Sequence, residues 1–284
     1  MKHISRLIAG CSSIFLLIAL TTTVEAQNIR HVSLAGSDQG GSNTCLESAA
    51  PCRAISHALD AAVPGDTIEV GSGAYTETLL IDKSVNIHGA GQSSTFIEAH
   101  IEPGSAEARV VDLGAGLVVE IANLTIRNGH MGDGSSSDCG AGIRNITNSL
   151  LILEHVSVVN NHQGLLSILG GAGVCIGSQG SAQFRHVVFQ GNDNLNSQGG
   201  GALAVKGTAH LNHVWFTGNS AGGLGGGGLH VHGIATLEDV TFTENYSSGL
   251  GGGMKVRSGG AATLERVNFN PESFGPQGRV RPVA

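Results

Sequence analysis

The chain has 284 residues, 44 of them Gly, with only 4% aromatic and 13% charged residues and a formal charge of −7. This composition excludes a helical enzyme core and fits a chain of tight turns and close backbone approaches. A mildly acidic chain with no Lys/Arg run excludes nucleic acid and anionic membrane as expected partners.

Residues 1–26 read as a signal peptide. Lys2 and Arg6 give the positive start, Leu7 to Leu20 is mostly apolar, and Val24-Glu25-Ala26 places small residues where a signal peptidase reads. The alternative is a membrane anchor, but the uninterrupted run Ile14–Leu20 is too short to span a bilayer. Ile8-Ala9-Gly10-Cys11 resembles a lipoprotein cleavage box, yet lies before the main apolar run. The mature chain is expected to be exported, with no membrane span. Cys45, Cys52, Cys139 and Cys175 then face an oxidising compartment. Cys45 and Cys52 close a short loop and are a candidate disulfide; the pairing of Cys139 with Cys175 stays open, and no zinc spacing is present.

Residues 27–91 read as an N-terminal cap and first coils. Asn28–Leu34 alternates like a strand. Arg53–Ala62 is a short amphipathic helix, with Ile55, Ala58, Leu59 and Ala62 on one face. Pro64-Gly65-Asp66 turns, Thr67–Val70 is a strand, and Gly71–Tyr75 turns again. Leu79–Ile81 and Val85–Ile87 are strands around Asp82-Lys83-Ser84, and Gly89-Ala90-Gly91 closes the unit. This run of helix, Pro-Gly-Asp-Thr-Ile, Gly-x-Tyr, strand-Lys-Ser-strand and Gly-Ala-Gly resembles the N-terminal cap of right-handed parallel β-helix proteins of the pectin-lyase-like fold. The resemblance implies that the helix is a lid over the open apolar end of a strand stack.

Residues 92–270 read as repeats. Val118–Ile121 and Leu124–Ile126 form a divergent copy. Leu153-Glu-His-Val-Ser-Val-Val-Asn-Asn161 then recurs from Phe184, Leu211, Leu237 and Leu264, at spacings of 31, 27, 26 and 27 residues. A fixed period in this range means like units stacked into a solenoid. Val158, Phe189, Phe216, Phe242 and Phe269 are expected to stack inside. Asn161, Asn192, Asn219 and Asn245 are expected to form a ladder, Asn being tolerant of left-handed backbone and its amide able to bond to the copies above and below at the cross-strand spacing. The expected fold is all-β, a single-stranded right-handed parallel β-helix solenoid with a short N-terminal capping α-helix. Residues 271–284 are a C-terminal tail.

Phe-x-x-Asn, as in Phe189–Asn192, Phe216–Asn219 and Phe242–Asn245, combines with Gly-Gly-x, as in Gly200–Ala202, Gly227–Leu229 and Gly252–Met254. The pair resembles the repeats of chlamydial-type polymorphic outer membrane proteins, which implies an exported, adhesin-like module. Enzymes on the pectin-lyase-like fold need clustered carboxylates, for Ca²⁺ or for hydrolysis. Glu154, Glu238 and Glu265 share a column that Arg185 and Asn212 interrupt, and Asp133 and Asp138 sit in a long loop; these read as solvated turn residues. No catalytic set and no cofactor motif emerge. Gly222–Gly228 lacks the Asp of a Ca²⁺ β-roll and the Lys of a phosphate loop.

His155, His186 and His213 occupy one position on successive units and are weak metal candidates, expected in a turn beside the strand. His230 and His232 share an outer face with Lys206 and Arg257, whose charge disfavours a bound cation. The outward residue of each copy is Ser157, Val188, Trp215, Thr241 or Asn268. Trp215, flanked by Val188 and Thr241, is the weak candidate for binding sugar or a cell-surface protein, provided no loop covers it. The competing functions are a polysaccharide lyase or hydrolase, and a periplasmic copper-handling β-helix.

Overall fold

The computed structural model describes residues 27–39, 43–102, 107–132, 139–164, 170–195, 199–223, 225–249, 251–271 and 273–274. Residues 1–26, expected as a signal peptide, and Asp133, Asp138, Leu224 and most of the expected C-terminal tail lie outside them. The described chain is a right-handed parallel β-helix with one α-helix. From the coil of Val118–Arg127 onward each coil contributes to three sheets, and its strands pair in parallel with their equivalents one coil on.

The long sheet runs from Ile29–Val32 through Thr67–Val70 and Asn86–Gly89. It continues through the ten-residue strands Val118–Arg127, Leu150–Val159, Ser181–Gln190, Thr208–Thr217 and Ile234–Thr243 to Ala261–Glu265. A second sheet carries three-residue strands from Leu79–Ile81 to Met254–Val256. A third carries two-residue strands from His130–Met131 to Ser273–Phe274. Gly73–Thr76, expected as part of a turn, is instead a strand paired with Thr95–Glu98.

The helix spans Ile55–Ala61, two residues shorter at its start and one at its end than the expected span. Ile55, Ala58 and Leu59 are buried against the first coils, which is the role of a lid. The residues of the cap motif hold it in place. Glu77 accepts the helix's first amides, from Ile55 and Ser56, both at 2.9 Å. Lys83 Nζ donates to the carbonyl of Leu59, in the helix's last turn, at 3.0 Å. An acid at the start and a base at the end also match the helix dipole. Below the lid, Asp66 is fully buried and accepts from Arg30 Nε at 2.7 Å and from the amides of Asn28 and Val63.

The ten-residue strands are bent, which corrects the expected placement of the histidines. Asn123, His155, His186, His213, Asp239 and Arg266 all have φ between 51° and 56°. They form a corner inside the strand, not a turn beside it. A left-handed residue shifts the pleat by one, so Leu153 and Val156 both point inward although three apart. A second left-handed column follows each strand: Asn128, Asn160, Gly191, Gly218 and Glu244. The ladder asparagines sit one residue later, so left-handed tolerance is not what selects them. Asn128 belongs with this turn column and not with the ladder.

What selects the ladder is hydrogen bonding. Asn161, Asn192, Asn219 and Asn245 are fully buried, and the Nδ2 of each of the first three donates to the next Oδ1 at 2.9–3.0 Å. The second Nδ2 hydrogen of Asn192, Asn219 and Asn245 goes to Val158, Phe189 or Phe216 carbonyl oxygen. Each Oδ1 also accepts a backbone amide from the preceding coil. Beside the ladder, Phe189, Phe216, Phe242 and Phe269 stack at 4.8 Å with rings within 6° of parallel. Phe269 ends the stack and is 50% exposed. The Gly-Gly bends serve close approach: a Cβ on Gly201 would lie 2.1 Å from the carbonyl oxygen of Gly227 on the next coil.

Both cysteine pairs are bonded. Cys45–Cys52 staples the loop before the helix, and Cys139–Cys175 joins two coils with Cα atoms 5.7 Å apart. The second pair was open because Cys139 precedes a strand of the second sheet while Cys175 lies within the next one.

Candidate functional site

The outer strip of the long sheet is assembled in register. Ser157 pairs with Val188, Val188 with Trp215, Trp215 with Thr241, and Thr241 with Asn268. Parallel pairing keeps these side chains about 4.8 Å apart along a flat face. Trp215 is 40% exposed, so among the described residues no loop buries it.

At the bend, the histidine column flanks the strip. His155 and His186 stack at 4.7 Å with rings 13° apart, and His186 and His213 lie at 4.9 Å and 39°. His213 Nδ1 meets Asn212 Oδ1 at 2.7 Å. Stacked face to face, the rings do not aim three nitrogens at one point. Among the described residues, one trio of potential ligands has atoms within 4.8 Å of one another: Cys45, Cys52 and His57, whose sulfurs form the disulfide.

At the C-terminal end the acids converge on one base. Arg266 bonds Asp239 at 2.6 and 2.9 Å, Glu238 at 2.5 Å, and also Glu265. Hydrogen bonds from Arg266 hold the Asp239 carboxyl below its ordinary range, and the same bonds push the guanidinium up. Asn212 Nδ2 donates to Glu238 Oε2 at 2.8 Å. These carboxylates are engaged with Arg and Asn donors. A concavity of about 330 Å³ lies nearby, lined by Gln183, Phe184, Arg185, His210 and Asn212.

Two groupings were not anticipated. On the first coils, His31, Glu69 and His88 form an outward column. His31 Nδ1 lies 3.4 Å from Glu69 Oε2, and His88 Nε2 lies 3.0 Å from Glu120 Oε1. They line a concavity of about 450 Å³ walled by Ser48 and Pro51 of the stapled loop. Only the strand register brings them together, across gaps of 38 and 19 residues. On the third sheet, His130 and His162 pack at 4.8 Å, and His162 Nδ1 lies 3.3 Å from Asp193 Oδ2.

On the second sheet, His230 is 2% exposed, so it does not share an open face with His232 as expected. His232 Nε2 meets His230 Nδ1 at 3.3 Å. Burial, then Lys206, Arg257 and Lys255, push the His232 imidazole down to about 4.

Among the described residues no helix is long and apolar enough to cross a membrane. No family model matches the chain, and no curated protein matches it. Among solved structures, the chain is similar to the pectin methylesterase from Aspergillus niger in deglycosylated form, at 14% identity and a TM-score of 0.42, over 92% of this chain and 94% of that one.

Proposed function

We propose that the chain is an exported, non-catalytic binding module that presents the Trp215 strip to carbohydrate or to a cell-surface protein. The observation that carries this reading is Trp215 itself: the one Trp of the chain stands 40% exposed on a flat sheet between Val188 and Thr241. An indole with an open face stacks on the apolar face of a sugar ring, and its N–H bonds a hydroxyl. Thr217, Thr241 and Thr243 supply further hydroxyls around it.

Export is supported by the signal-like residues 1–26 and by two disulfides, which persist in oxidising compartments. The repeats similar to those of polymorphic outer membrane proteins support an adhesin-like role at a cell surface. Against catalysis stands the engagement of Glu238, Asp239 and Glu265 by Arg266.

A glycan-array screen of the mature protein, with Trp215→Ala as control, tests the reading. Binding that Trp215→Ala abolishes is the expected result. Ultraviolet-absorbing elimination products from polyuronate with Ca²⁺ present would overturn it.

A further inference from the structure

The fold sorts charge by face in a way that no local run of residues discloses. The stretches that build the second sheet from its fourth strand onward are residues 170–182, 199–209, 225–234 and 251–262. They contain no Asp and no Glu, in a chain with 22 acids and 15 Lys and Arg. They do contain Lys206, His230, His232, Lys255 and Arg257.

The coils then stack these groups. The amide of Lys206 donates to Ile176 oxygen at 2.8 Å, that of His232 to Val205 at 2.7 Å, and that of Arg257 to Val231 at 2.8 Å. Lys206, His232 and Arg257 therefore occupy one position on three successive coils. His230 and Lys255 pair in the adjacent position. At about 4.8 Å per coil, the column extends over about 10 Å. We propose that this face of the second sheet, built by Lys206, His232 and Arg257 with Lys255 beside them, binds a phosphate or sulfate group.

The electrostatics support the geometry. Burial and then Arg257 hold the ammonium groups of Lys206 and Lys255 below their ordinary range. The charged groups that face His232 are Lys206, Arg257 and Lys255, all cationic. Like charges gathered in a partly buried place cost energy that a bound anion reverses. A cation is excluded for the same reason. A tetrahedral dianion suits three cations on the two coils that flank His232 better than a single carboxylate, because its oxygens point to several donors at once. The neutral His232 ring adds an N–H donor without adding charge.

The site lies on a different sheet from Trp215, so it stands or falls independently of the proposed function. His232 is its natural reporter. Its C2–H resonance, assigned with His232→Gln, is titrated by NMR in NaCl and in inorganic sulfate or phosphate at matched ionic strength. The expected result is a His232 pKa that rises from about 4 to about 5 or above in sulfate or phosphate but not in NaCl. Lys206→Gln, and separately Arg257→Gln, should raise the pKa without any anion and weaken sulfate binding by about tenfold. Dextran sulfate separates the sources: tighter binding per sulfate assigns the site to esters on a polymer, equal binding to the free ion. A His232 pKa that stays put in sulfate and phosphate, or moves equally in NaCl, overturns the proposal.

Discussion

The side-chain amide of Asn192 donates to Oδ1 of Asn219 at 3.0 Å and, with its other hydrogen, to the carbonyl of Val158 at 2.8 Å. Asn161 and Asn219 repeat this pattern, and all four ladder asparagines are fully buried. Replacing Asn219 with Ala removes the acceptor of Asn192's amide and side chain, and the donor to Phe189 and Asn245. Orphaned buried groups cost about 1–3 kcal/mol each, and several are created at once. We expect a loss of at least about 3 kcal/mol, read as a lower urea midpoint, with the proposed binding at Trp215 retained in the folded fraction.

The phenylalanine column makes a graded test. Phe216 is stacked on both faces and fully buried, whereas Phe269 is stacked on one face and half exposed. Phe216→Ala should cost about 3–5 kcal/mol, the range for a buried aromatic. Phe269→Ala should cost well under half of that. Equal losses in chemical denaturation would mean that Phe269 is covered in the whole protein.

The two disulfides differ in the loop they close. Cys139 and Cys175 are 36 residues apart, Cys45 and Cys52 only 7. On the loop-entropy account the longer closure contributes about 4 kcal/mol and the shorter about 2. The Cys139→Ser/Cys175→Ser protein should therefore melt at a lower temperature than Cys45→Ser/Cys52→Ser. Calorimetry on the two variants ranks them directly.

The sequence made columns legible wherever one residue type recurs at a fixed period. Phe189, Phe216 and Phe242, and the ladder asparagines, are such columns, and so is the amphipathic face of Ile55 and Leu59. The corner in the long strands was not legible. Asn123, His155, His186, His213, Asp239 and Arg266 share a left-handed backbone but no chemistry, so no composition signal marks the bend. The strands of the third sheet are two residues long, too short to show a period. The candidate surfaces were half legible. Trp215 was placed outward by alternation and is found there. The concavity at His31, Glu69 and His88 and the cationic face around His232 depend on which coils become neighbours, a property of register and not of any one segment.

The cationic face also dictates how stability depends on pH. The folded-state pKa of His232 is about 4, below its ordinary 6.5, so the folded protein binds fewer protons than the unfolded chain between these values. Stability then rises with pH across that window and is lost as pH falls from 6.5 towards 4. The full difference corresponds to at most about 3 kcal/mol, reduced by the solvent that reaches this half-buried ring. Thermal unfolding of the wild type and His232→Gln between these pH values isolates the contribution, since Gln does not titrate. The wild type should lose more than the variant on acidification, and sulfate should narrow the gap by favouring the charged ring. A gap that is independent of pH would show that His232 titrates near its ordinary value and that the cations do not crowd it.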